Sequence, residues 1–150
     1  MKDKKIQKVY VDNGFGFPVH ILNAPLKKIR GKWTLNLNFN KYEKALILAL
    51  SVKPARLTGN EIKFIRHHFA MNLKTFGERF GNVAHSAVIK WERFGDKATN
   101  MNWACEKDIR LFITSELKPK LLIKVYNDLD KAMPSKVSKI KIDSKELKAA

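Results

Sequence analysis

The chain predicts an α+β fold, mainly α, in which a helical domain is preceded by a small antiparallel β segment and a linking helix. Three observations predict it. Between residues 8 and 38, apolar and polar residues alternate in short runs broken by Gly, Pro and Asn. From residue 41 the apolar residues recur at three- and four-residue spacing instead. Between residues 57 and 92, capping residues and a glycine fall where helix ends require them. At 150 residues the chain can bury one main core with a smaller appendage. The expected parts are 1–54, a small sheet with a linking helix; 55–131, a helical domain; and 132–150, a basic tail.

In order, Lys8-Val9-Tyr10-Val11 reads as a first strand and Asp12-Asn13-Gly14 as a turn. Pro18-Val19-His20-Ile21-Leu22 reads as a second strand, and Trp33-Thr34-Leu35-Asn36-Leu37-Asn38, with period two, as a half-buried third. The stretch from Ala24 to Lys32 reads as their connection, with four cations around two aliphatics. It suits either a DNA backbone or an acidic partner, or it is an ordinary exposed loop. Gly14-Phe15-Gly16-Phe17 lacks both the Walker lysine-hydroxyl ending and the dinucleotide fingerprint, so its aromatics read as core anchors at a loop. Lys41 to Val52 predicts a helix ending before Pro54, because the residue preceding a proline is pushed out of helical geometry.

The next three helices are the most strongly marked. Thr58 followed by Glu61 is a capping box, after which Ile62, Ile65 and Phe69 share one face. A second helix fits Leu73 to Phe80, with Asn72 as N-cap and Gly81 as a left-handed C-cap. A third runs from about His85 to Phe94, burying Val88 and Trp91 with Ala84 or Ala87. His85, Ser86, Ile89, Lys90 and Arg93 fall on its other faces. The spacing reads as a helix-turn-helix; the plainer alternative is a small amphipathic helical bundle.

Phe76-Gly77-Glu78-Arg79-Phe80-Gly81, followed by Val83, Val88 and Lys90-Trp91-Glu92, resembles the phage-repressor and Cro-type (Xre) helix-turn-helix family over roughly Leu57 to Leu117. Gly77 matches the small residue at which two helices approach closely, Gly81 the turn glycine, and Val88 the buried aliphatic of the recognition helix. The chain departs from the pattern at Asn82, one residue more than the usual turn holds, at Ala84 in place of a Ser or Thr N-cap, and at Leu73 near the start of the second helix. The resemblance implies that the third helix enters the major groove, with His85, Ser86 and Ala87 at base-reading positions. It places Asn72, Lys74, Lys90, Lys97, Thr99 and Asn100 as phosphate ligands, which fix register without reading sequence.

Further along, Trp103, Ile109, Leu111, Phe112 and Ile113 belong to another helix, and Leu121, Leu122, Val125, Tyr126 and Leu129 to one opened by Pro119. In the Xre family such helices complete the core or pair subunits, which implies a homodimer on a palindromic site. Pro134 to Ala150 is lysine-rich and expected to be mobile. Within it, Ser138 to Asp143 alternates well enough to add a strand to a partner or to the N-terminal sheet.

Thirty Lys and Arg against 14 Asp and Glu give a formal charge of +16, the profile of a chain that meets a polyanion. Residues 1–54 carry 11 basic and 3 acidic side chains, 55–117 carry 10 and 7, and 118–150 carry 9 and 4. The helical region is thus the least basic, and sequence-independent affinity is expected to come substantially from the flanks. Cys105, the sole cysteine, has apolar neighbours and reads as a buried hydrophobe in a reducing cytosol. His20, His67, His68 and His85 show no metal-ligand spacing, and no nucleophile elbow is present, so neither a cofactor nor catalysis is expected. No apolar run approaches a membrane span and no secretory signal opens the chain, which suits a cytoplasmic protein.

These readings lead to an expected sequence-specific DNA-binding regulator, a repressor, with duplex DNA as partner. The resemblance extends to antitoxins of the MqsA type, which would add a cognate toxin as a protein partner. That branch carries an N-terminal zinc domain whose cysteines this chain lacks, so no metal is expected. The alternatives are a protein-interaction module with basic flanks, or a non-specific nucleic-acid binder.

Overall fold

A computed structural model describes residues 3–147. It is α+β, with two compact units: Met1–Ala49 together with Lys139–Ala150, and Leu50–Ser138. No helix among the described residues is long and apolar enough to cross a membrane.

The first unit is a four-stranded sheet built around β2 (Val19–Ile29). On one side β2 pairs antiparallel with β1 (Lys4–Asp12), from Asp12 opposite Val19 to Lys4 opposite Lys27. The other side is shared. β4 (Ile140–Asp143) runs parallel to Val19–Leu22, and β3 (Lys32–Leu35) runs antiparallel to Leu26–Ile29. At the handover Asn23 adopts a left-handed backbone, φ 54°. The burial alternation changes phase there, with Val19 and Ile21 buried before it and Ala24 and Leu26 after it. Pro25 falls where β2 changes its outer neighbour, a place in a central strand that tolerates the missing N–H; its carbonyl accepts from Asn36 N–H.

Two expectations are corrected here. The stretch from Ala24 to Lys32 is not a connection but mostly strand, because the left-handed Asn23 lets β2 continue past Leu22. The true connection is Arg30-Gly31, both with positive φ (51° and 78°), the two-residue hairpin turn that matches strand twist. The C-terminal stretch is not a free tail from Ile140 to Leu147, where it adds the strand that the alternation over Ser138 to Asp143 offered to the N-terminal sheet; residues 148–150 of the expected tail lie outside the described residues. Ile140 and Ile142 are buried on the edge of β2, Leu147 is buried, and Ser144 Oγ donates to Asn23 O at 2.6 Å. A strand that alternates aliphatic with polar residues gains by occupying an edge that β3 leaves open.

α1 (Phe39–Ser51) is capped by Asn38, whose Oδ1 accepts from Lys41 N–H. Tyr42 is wholly buried, and its hydroxyl donates to Asp12 Oδ2 at 2.6 Å. Burial, then the bond to Asp12, raises the phenol well above its ordinary range and keeps it a donor. Phe15 stands edge-on to Tyr42, ring centroids 5.2 Å apart, so the aromatic of the glycine-flanked loop does serve as an anchor.

The second unit holds α2 (Gly59–His68), α3 (Leu73–Arg79), α4 (His85–Glu92), α5 (Trp103–Leu117) and α6 (Leu122–Asp128). Leu57, Ile62, Ile65, Val88, Ile109 and Ile113 are fully buried. Phe112 meets Phe69 and Phe80 edge-on at 4.9 and 5.4 Å, tying α5 to the neighbourhood of α2 and α3. The unit begins earlier than the expected boundary at residue 55, because residues 53–57 are held by ions buried within it. Arg110, fully buried, donates to the carbonyls of Lys53 at 2.6 Å and Ala55 at 2.5 Å, and to Glu106 at 2.9 Å. Glu106 also accepts from Arg56 Nε at 2.8 Å and from Leu57 N–H at 3.2 Å. Carbonyls in a segment with no helix or strand partner thereby find donors, which burial demands.

Candidate nucleic-acid interface

The α3–α4 pair is fixed from both ends. At the start of α2, Thr58 accepts from Glu61 N–H while Glu61 accepts from Thr58 N–H, completing the expected capping box. Glu61 does a second job, accepting from Lys53 Nζ at 2.8 Å in a buried ion pair. Beside this cap lies the C-terminal end of α4. A Cβ on Gly59 would sit 2.6 Å from Trp91 O and 2.7 Å from Glu92 O, so only glycine allows the two helices to meet there. Arg66 then grips Glu92 with two bonds, Nε to Oε2 at 2.7 Å and Nη2 to Oε1 at 3.1 Å.

The turn between α3 and α4 is equally constrained. Asn72 caps α3 by accepting from Thr75 N–H at 2.7 Å. At Gly77 a Cβ would fall 2.5 Å from Val83 O and 3.2 Å from Val88 Cγ2. The extra residue in the turn is absorbed by two successive left-handed residues, Gly81 (φ 84°) and Asn82 (φ 49°), after which Val83 N–H returns to Gly77 O at 2.9 Å. Asparagine is the non-glycine residue best suited to that conformation. α4 opens from Ala84, which offers no side-chain cap; in its first turn Ala87 N–H bonds back to Ala84 O at 3.0 Å.

On this frame Val88 and Trp91 are buried, whereas His85, Ser86 and Lys90 are exposed and Ala87 is half-buried. Ala87, Lys90 and Asn100 lie together around a concavity of about 400 Å³, floored by Trp91 and Phe94 and flanked by Arg93. Arg93 and Phe94 were not singled out as site residues from the sequence. The available signal was helical spacing, since Arg93 lies three residues beyond Lys90 and so shares its side of α4. Lys97 is exposed in the following loop. Lys74 is 80 % exposed and only 4.0 Å from Glu78, a loose pair that leaves its charge available. Asn72 is exposed, and its side-chain oxygen is spent on the cap.

Thr99 is a correction. Only 3 % exposed, it accepts through Oγ1 from Met101 N–H, and its own N–H donates to Leu57 O. The isolated bridge between Thr58 and Ala98 draws this stretch inward, which removes Thr99 from any phosphate-binding surface.

Cys105 is buried and its thiol is pushed up to about 11 by burial, then by Asp108 and Glu106, so it stays protonated and unreactive at neutral pH. Among the described residues no three His, Cys, Asp or Glu side chains come together as a metal site. In comparisons with known proteins, no family model, no curated protein and no solved structure matches this chain.

Proposed function

We propose that this chain is a sequence-specific DNA-binding regulator of Xre type, acting as a repressor by occupying its operator. The observation that carries the reading is the division of α4: Val88 and Trp91 are locked into the core while His85, Ser86 and Ala87 lead an uncapped helix start that faces solvent. A helix presented in this way can enter a major groove, its first residues at base edges and its first N–H groups toward phosphate. His85 and Ser86 donate or accept at base edges and Ala87 meets a thymine methyl. Lys90, Arg93 and Asn100 around the α4 concavity, with Lys74, Lys97 and the Asn72 amide, supply backbone contacts. A two-fold assembly is supported by α6, whose Ile123 (78 % exposed) and Tyr126 (55 %) leave an apolar stripe on the surface. Two copies would then address half-sites about one DNA turn apart. If the regulator is also an antitoxin, it needs a second surface for its protein partner.

Enrichment from a random duplex library with excess competitor DNA tests the proposal, run on wild type and on a His85→Ala, Ser86→Ala double variant. A palindromic motif enriched by wild type alone is the expected result. Enrichment of no motif, with both proteins retaining DNA at low salt, would move the reading to non-specific binding.

A further inference from the structure

The outer face of the N-terminal sheet is unusually apolar for a surface. The register places Ile6, Val9 and Val11 of β1 on the face shared by Pro25, Leu22 and His20 of β2, opposite the face that buries Val19, Ile21, Ala24 and Leu26. Ile29 lies on the same outer face, two residues beyond Lys27. The four aliphatics are 73, 44, 46 and 46 % exposed in the order Ile6, Val9, Val11, Ile29. Scattered apolar residues on a surface need no explanation, but several aligned on one sheet face mark an interaction site.

The charge around this strip is one-sided. Lys4 stands directly opposite Lys27, Lys32 opposite Ile29, and Lys141 beside His20, all on the same face. Asp143, beside Leu22, is the single carboxylate on that face among the described residues. Like charges placed directly opposite across a ladder are destabilising, so the Lys4 and Lys27 pair costs the free protein stability that a counter-charge would restore. A second copy of this chain is a poor occupant, because it would set lysine against lysine. Phosphate backbone answers the lysines but leaves the aliphatics in water. The geometry points to a protein segment with an apolar centre and acidic flanks as the occupant of this face. The inference rests on the partner-holding half of the antitoxin reading and is independent of DNA recognition by α4.

Methyl-labelled full-length protein, titrated with a short peptide alternating valine and glutamate, tests it. Shifts confined to the Ile6, Val9, Val11 and Ile29 methyl signals are expected, with affinity falling about tenfold in an Ile6→Thr, Val9→Thr variant whose β-propensity is kept. A Lys4→Glu, Lys27→Glu, Lys32→Glu variant should instead prefer the twin peptide that carries lysine in place of glutamate. Equal binding of polyglutamate would overturn the inference, and so would no shift at these methyls. Displacement of the peptide by duplex DNA would assign the face to nucleic acid instead. Motif enrichment through His85 and Ser86 is unaffected by any of these outcomes, so failure of the two readings is distinguishable.

Discussion

Gly77 and Val83 touch twice: the carbonyl of Gly77 accepts the N–H of Val83 at 2.9 Å, and the carbonyl of Val83 lies where a Cβ on Gly77 would be, 2.5 Å away. The turn closes only if position 77 carries no side chain. Gly77→Ala gains helix propensity of about 1 kcal/mol, yet it must displace backbone, a strain of roughly 1–3 kcal/mol or more that outweighs the gain. The expected outcome is a lower denaturation midpoint in urea. Loss of motif-specific DNA binding should exceed the loss of non-specific binding, because α4 is tilted away from its frame.

Replacing Lys90 or Arg93 by glutamine removes a cation beside the α4 concavity without touching the core. Each change should weaken binding uniformly across DNA sequences and reduce the slope of log K against log salt by about one. His85→Ala should instead leave the slope unchanged and relax base preference. Titrations of one duplex across a salt series separate the two behaviours, and equal slopes for all variants would exclude these side chains from the backbone contact.

Glu106 answers two guanidinium groups and one backbone N–H from a fully buried position. Glu106→Ala leaves the charge of Arg110 buried and uncompensated, and breaking a pair in this way costs about 3–5 kcal/mol. The expected outcome is a large drop in Tm, with residues 53–57 losing the donors that hold them within the second unit. Arg79→Gln breaks a half-exposed pair with Asp108 and removes the guanidinium from the Phe80 and Phe112 rings, 4.7 and 5.2 Å away, and should cost only about 1 kcal/mol.

Burial, then Asp108 and Glu106, pushes the thiol of Cys105 up from its ordinary value of 9.0 to about 11 in the fold. Between these values the unfolded chain has lost a proton that the native chain keeps, so stability falls as pH rises through this window. The slope approaches about 1.4 kcal/mol per pH unit at most. Urea denaturation between about pH 8 and 9.5 should show the start of the decline, and Cys105→Ala should flatten it there, below the range in which the raised phenol of Tyr42 adds its own loss.

How much of this was legible in advance follows from the range over which each signal acts. Thr58 with Glu61, Asn72 with Thr75, and Gly81 declared their roles because caps and turns bond within three or four residues along the chain. The close approach at Gly77 could be expected only through a resemblance, since the atoms it makes room for belong to Val83 and Val88. Thr99 was misplaced because a loop threonine looks the same in sequence whether its hydroxyl faces solvent or bonds Met101 N–H.

The sequence by itself determined the α+β class, the places where the helices begin and the turn that separates α3 from α4, because capping and left-handed turn chemistry are local. Only the tertiary structure decided that Arg110 satisfies the carbonyls of Lys53 and Ala55, 57 and 55 residues away. It alone decided which edge the last strand takes, parallel to Val19–Leu22, with Ser144 bonded to Asn23 across 121 residues. The physical reason is that a buried carbonyl or an open strand edge must be satisfied by something. Which distant residue does so depends on the edges and cavities that the other elements leave, and no local pattern encodes that.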